Sequence, residues 1–527
     1  MPARLLTLSV SAVTRNRAPN LMKGCFMIPG DRRNLVSSGF NPRSTRRQFL
    51  VASGAGLAGL PGGWAVRPAS AAEMASGGVA ASARSTVLFF LCGGASHIDT
   101  WDMKPNAPLE IRGEFKSIAT SAPGVRLCEH LPMTARQAHH LAVINSVDGT
   151  DPTNSHLGYY YHLTGHRLDP RTIGVPAERR QQRDDWPFIG SVVSSKLPPH
   201  GLLPNAISYP WIPEGVTDIR AGQFAGRLGA EHDPLYLTAT RSDSNSMADS
   251  KQVSSDGLEQ PFKFHAPALT LDAAMTKAKL LNRHSLLREL DTSRRELEQF
   301  QENRKWRRHH ERAFSLLTSA GTAGALDVSR EPESVRERYG QTINGMGLLL
   351  ARRLVEAGVP FITVFWMPDK VRAEKLKCSS AGGWDTHGNN FQCLKEMLLP
   401  EFDRAFSALL EDLAQRGLLD STLLLVTSEM GRQPRIGDPR TGGSSGAGRD
   451  HWTYCLTDLL AGGGIRGGRT YGASDKFGEY PADQRVTPAD IAHTIYHAMD
   501  IRDLTATDTQ NRSYNLQEEG RPLLELF

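Results

Sequence analysis

The run STVLFFLC, residues 85–92, ends in Gly93-Gly94. It is apolar from Val87 onward and lacks the alternation of a strand with one wet face. Such a run suits a strand buried on both sides, and two glycines let the chain turn sharply off its end. A strand of this kind needs helices over both faces of its sheet. Residues 86–92 are therefore expected to be a central strand of a mainly parallel sheet.

The rest of the chain repeats the theme. LAVINSVDG (141–149) reads as a second strand after the helical MTARQAHH, and GLLPNAISYP holds a short third. INGMGLLLARRLVEAG is a helix, VPFITVFW a strand, and CLKEMLLPEFDRAFSALLEDLAQRG a helix ended by Gly417. STLLLVTSEMGRQPRI is a strand and loop, and HWTYCLTDLLAGGG is partly strand-like. TPADIAHTIYHAMDI is a helix with Thr487 as cap and Pro488 at its first position. Residues 272–318 are Leu-spaced and dense in charge, which fits amphipathic helices inserted at about 270–320. Strands alternating with helices define an α/β fold with a mainly parallel sheet.

The polar clusters share one position, just after a predicted strand. They are His97, Asp99 and Asp102; then Asp151, Asn154, Ser155 and His156; then Asp385 and His387 in GGWDTHGNNF. Glu429, Arg432 and Arg435 follow, and then Arg449, Asp450 and His451. In open α/β sheets, ligands bind beyond the carboxyl ends of the strands. Carboxylate with imidazole is a ligand set for zinc, iron or manganese. A lone Asp-x-His on a loop is more often a capped turn, so the weight rests on the five clusters together.

Net charge is +5, but the first 72 residues hold ten Lys/Arg against Asp31 alone, leaving the remainder near −4. A slightly acidic body has no electrostatic footprint for nucleic acid. The basic leader contains STRRQFLVASGAGLAGLPGG and then Ala69-Ser70-Ala71. Paired Arg46 and Arg47, a mildly apolar stretch and a small-residue site read as a twin-arginine export signal over 43–72. Residues 1–42 are an unusual extension, with Met22 or Met27 as a later start. Residues 73–84 read as a linker and 506–527 as a tail. No other segment reaches the ~20 apolar residues of a membrane span. The expected partner in export is the twin-arginine translocase, and the expected location periplasmic or extracellular. Five Cys follow the leader, an odd number; Cys378 and Cys393 could pair across the Asp385 loop.

The motifs FFLCGGASHIDTWDMKPNAP, EIRGEF, HLTG, GWDTH, TSEMGRQPRI, GRDHW and LLAGGGIRGGRTYGASD, over roughly 85–505, resemble the bacterial domain-of-unknown-function 1501 family. That family is similar in turn to the alkaline phosphatase and sulfatase superfamily. The resemblance implies an α/β/α sandwich with a metal centre at the strand ends. SHLGYYYHLTGH resembles the sulfatase segment that opens with the nucleophile, which puts Ser155 there. Asp385 and His387 resemble a metal-binding pair, Glu429 stands at the Asp of Thr-Ser/Ala-Asp-His-Gly, and His451 resembles the last metal histidine. Three departures stand out. Gly93-Gly94 occupy the place of an early Asp, Asp99 being the nearest carboxylate; Met430 replaces a His; and no Cys-x-Pro-x-Arg is present, so formylglycine is not expected.

The resulting expectation is an exported metal-dependent hydrolase of phosphate or sulfate esters, a polysaccharide among the candidate substrates. Asp99, Asp385, His387, Glu429, Asp450 and His451 are its candidate ligands for one or two divalent ions. Ser155 would attack with His156 assisting, and Arg432 and Arg449 would hold the anionic group. The alternative is a non-catalytic binding protein on the same scaffold.

Overall fold

A computed structural model describes residues 83–149, 157–168, 181–199, 203–213, 220–241, 262–267, 279–283, 285–286, 320–378, 383–437, 447–508 and 512–527. The residues of the expected export signal, most of the expected linker and helical insertion, and both Ser155 and His156 lie outside the described residues.

The main sheet has eight strands among the described residues. They are β1 (Ser85–Phe90), β2 (Leu141–Val147), β3 (Ala206–Tyr209), β4 (Leu235–Tyr236), β5 (Phe361–Phe365), β6 (Thr422–Thr427), β7 (Leu456–Ala461) and β8 (Arg469–Tyr471). Their order across the sheet is β8-β2-β7-β6-β1-β5-β3-β4. β1 lies at the centre, parallel to both β5 and β6.

Side chains of β1 alternate between two cores. Val87 and Phe89 enter one, and Leu88 and Phe90 the other. Helices α3 (Ile343–Glu356) and α4 (Leu399–Gln415) cover the first face, where Phe89 stacks on Phe402 at 5.9 Å. Helices α1 (Leu157–Thr164), α2 (Ile189–Lys196) and α5 (Pro488–Ala498) cover the second. Fully burying one such aromatic side chain contributes about 1.5–3 kcal/mol, so the uninterrupted apolar run has its physical reason. The fold is thus mixed α/β with a mainly parallel central sheet between helical layers. The caps agree with the sequence: Thr487 and Asp490 form a capping box with Pro488 in the first turn. No helix of the described residues is long and apolar enough to cross a membrane.

One strand breaks the pattern and places the site. β7 runs antiparallel to both β6 and β2. Its amino end therefore lies at the edge where β1, β5 and β6 end. Residues that follow β1, β5 and β6, and residues that precede β7, consequently reach the same rim.

Candidate metal centre

The rim is assembled by close backbone contacts. Gly93 has φ 117°, and a Cβ there would collide with the backbone nitrogen of Asp385. The Trp384 amide donates to the Cys92 carbonyl at 3.0 Å, fastening the loop after β5 to the end of β1. On its other side, the Arg449 amide donates to Thr386 O at 3.1 Å and the Asn390 amide to Ala447 O at 3.0 Å. This second contact requires Gly448, because a Cβ there would overlap the His387 carbonyl. A disulfide joins Cys378 to Cys393 and closes the same loop covalently.

Three side chains converge there. His387 Nε2 lies 2.8 Å from His451 Nε2. Asp385 Oδ1 is 3.0 Å from the first and 3.1 Å from the second. Their ligand atoms all fall within 4.8 Å of one another, the one such trio among the described residues. All three side chains keep some exposure, 34% at Asp385, which leaves a side open to an incoming molecule. Burial works against ionising Asp385, but the Arg432 guanidinium and bonds from His387 and His451 outweigh it. The carboxyl is held far below its usual range. Burial lowers the pKa of His451, favouring the neutral imidazole that binds metal.

The donor set fits a divalent cation. Two imidazoles and one carboxylate with an open side are the pattern of catalytic zinc and of non-haem iron. Asp450 Oδ1 sits 3.3 Å from His387 Nδ1, a carboxylate behind a ligand imidazole.

Several predicted site residues are placed otherwise. Asp99 is fully buried, receives Arg449 Nε and Nη2 at 2.7 and 2.8 Å, and also accepts from Ser96 and Asn390. Arg449 donates further to the carbonyls of Ile111 and Pro434. The expectations of Asp99 as ligand and Arg449 as anion holder do not match this geometry, because the two charges satisfy each other inside the core. Arg432 is likewise buried and donates to Gly93 O, Gly94 O, Arg449 O and Asp385. It bonds the Asp385 carboxylate rather than facing outward. Glu429 stands across the Gly93 peptide, accepting its N–H at 2.8 Å and the Ser428 hydroxyl at 3.0 Å. Burial pushes its pKa up. It is outside the trio, as is Asp450.

The sequence did not single out Arg220. Its guanidinium lies 4.7 Å over the Tyr159 ring, and its Nη1 is buried without a partner. It tempers the shift of Glu429. No polar cluster surrounds Arg220 in the sequence, so nothing marked it. α1 approaches the same place, since a Cβ on Gly158 would strike the Glu429 carbonyl.

An open α/β sheet carrying a His–His–Asp trio at its rim defines a candidate metalloprotein. The chain belongs to the family described as protein of unknown function, DUF1501, which it matches over residues 83–527. No curated protein matches the sequence. Among solved structures, Ps i-CgsB in complex with k-i-k-neocarrahexaose is 12% identical, with TM-score 0.36, over 84% of this chain and 75% of that one. The phosphonate monoester hydrolase SpPMH from Silicibacter pomeroyi is 12% identical, with TM-score 0.35, over 83% and 76%. The PsFucS1 sulfatase from Pseudoalteromonas sp. is 13% identical, with TM-score 0.34, over 80% and 68%.

Proposed function

We propose that this protein is an exported, metal-dependent hydrolase of phosphate or sulfate esters. The observation that carries the reading is the convergence of Asp385 Oδ1, His387 Nε2 and His451 Nε2 on one open point. A divalent ion held there would polarise an ester oxygen and stabilise charge as the ester bond breaks.

The chain's own residues have distinct parts. Asp450 accepts a hydrogen bond from His387 Nδ1–H, which leaves the Nε2 lone pair facing the trio. Arg432 keeps Asp385 ionised. Ser155, three positions before Gly158 in sequence, is the proposed attacking group, with His156 assisting. Export is supported by the twin-arginine leader and by the Cys378–Cys393 disulfide, a bond that persists in oxidising compartments.

The test is elemental analysis of the purified wild type beside Asp385→Ala/His387→Ala, followed by a screen of sulfate and phosphate esters. Bound zinc, iron or manganese that disappears in the double variant, with ester turnover that disappears with it, is the expected result. A folded wild type that binds none of these metals would sink the reading. A second reading, binding without turnover, is favoured by one observation: Arg432 and Arg449 are both committed to internal partners. Stoichiometric metal with no turnover of any ester, including by Ser155→Ala comparison, would select it.

A further inference from the structure

The stretch WDMKPNAP and EIRGEF contributes nothing to the trio, yet it builds a pocket of its own. Met103, Lys104, Pro105, Arg112, Phe115, Lys116 and Ser117 enclose a cavity of about 210 Å³. Pockets for whole drug-sized ligands usually run to ~300–1,000 Å³, so this one suits a single compact group. Every ionisable side chain lining it is cationic.

The cations are set by the fold. Lys104 Nζ is held 2.8 Å from Asp102 Oδ1, and buried Asp102 is fixed in turn by the Ser474 hydroxyl. Arg112 ends the helical turn Leu109–Arg112, and its one side-chain hydrogen bond among the described residues is a long 3.4 Å contact to the adjacent Gly113 carbonyl. Lys116 projects from an exposed position with no ion pair among the described residues. Glu129 accepts the Lys116 backbone amide at 3.0 Å but does not line the cavity. Ser117 Oγ accepts from Arg126 Nε at 2.9 Å, which brings a fourth cation to the edge. The buried floor, Phe115, is wedged edge-on against His130 at 4.6 Å and Phe391 at 5.2 Å. A rigid floor with the Arg112 guanidinium and the Lys116 ammonium free beside it, and Lys104 held in place by Asp102, holds charge without paying much entropy on binding.

We propose that this pocket binds a tetrahedral oxyanion, sulfate or phosphate, either as the free ion or as an ester group on a larger polyanion. The site is distinct from the metal trio and stands whether or not that trio is catalytic. None of the residues lining it belongs to the trio.

The experiment is calorimetric titration of the full chain with sodium sulfate, sodium phosphate and a heparin-derived hexasaccharide, at low and moderate salt. Binding is expected to weaken by about tenfold or more in Arg112→Ala/Lys116→Ala. Lys116→Glu, a change at an exposed side chain, provides a variant that folds normally and should abolish the heat. Asp385→Ala should leave the affinity intact. Binding of the small ions identifies a free-ion site, and binding of the hexasaccharide alone identifies an ester-group site. No binding of any probe, equal affinity in the double variant, or loss of binding in Asp385→Ala would each overturn the proposal.

Discussion

His387 and His451 meet through their Nε2 atoms at 2.8 Å, although 64 residues separate them. Two imidazole nitrogens at that distance cannot both present lone pairs unless a proton or a cation lies between them. Added zinc, manganese or iron(II) is therefore expected to raise the melting temperature of the wild type. At a hundredfold excess over Kd the gain is about 2.7 kcal/mol. His451→Ala should show no such shift in scanning calorimetry.

Asp450 contacts the far nitrogen of His387 rather than the open point. Asp450→Asn should leave the fold intact and weaken metal affinity by about 10–100-fold. Competition against a chromophoric chelator measures it. An unchanged affinity would show that His387 is oriented by other means.

The disulfide closes a loop of 15 residues that carries both Asp385 and His387. Cross-linking a loop of that length stabilises a protein by about 3 kcal/mol in the chain-entropy view. Cys378→Ser/Cys393→Ser should lose an amount of that order in urea unfolding. The same variant should also bind metal more weakly, because the ligand loop loses its clamp.

Asp99 and Arg449 form a fully buried pair. Removing one partner, as in Asp99→Asn or Arg449→Met, should cost about 3–5 kcal/mol by stranding the other charge. Arg449→Lys should not rescue, since an ammonium cannot reproduce the fork toward Asp99 and the Ile111 carbonyl. Denaturant midpoints decide the matter.

Asp458 on β7 is fully buried beside Thr427, and burial outweighs a Thr427 hydrogen bond to raise its pKa from 3.8 to about 7. The folded form holds its proton where the unfolded chain has released it. The stability it contributes is therefore complete below about pH 4 and lost as pH rises toward 7. Asp458→Asn should be more stable than wild type at pH 7 by up to about 4 kcal/mol, and equal near pH 4. His162, pulled down to about 3 by burial, acts in the opposite direction, weakening the fold as pH falls below 6.5. The difference between the two proteins, followed by unfolding across this range, isolates Asp458.

Much of this architecture was legible because burial writes itself into composition. The run at β1 is apolar on both faces because both faces are covered, and Thr487-Pro488 announces a helix start by local chemistry alone. The antiparallel course of β7 was not legible, since HWTYCLTDLL carries no signal of direction. The candidate ligands Asp385, His387 and His451 stood out as polar residues on glycine-rich loops. Asp99 and Arg449 stood out by the same signal, yet they neutralise each other in the core. A sequence shows which charges gather at a rim but not which of them pair. Arg220 and the cations of the 103–117 pocket were invisible for the complementary reason: single basic residues on loops look like ordinary surface.

Arg432 is buried behind Asp385 and shares that carboxylate's electron density. A carboxylate already bonded to a guanidinium donates less to anything else it holds. A cation held by the trio would therefore share Asp385 with a guanidinium and would be held in an exchangeable grip rather than locked for good.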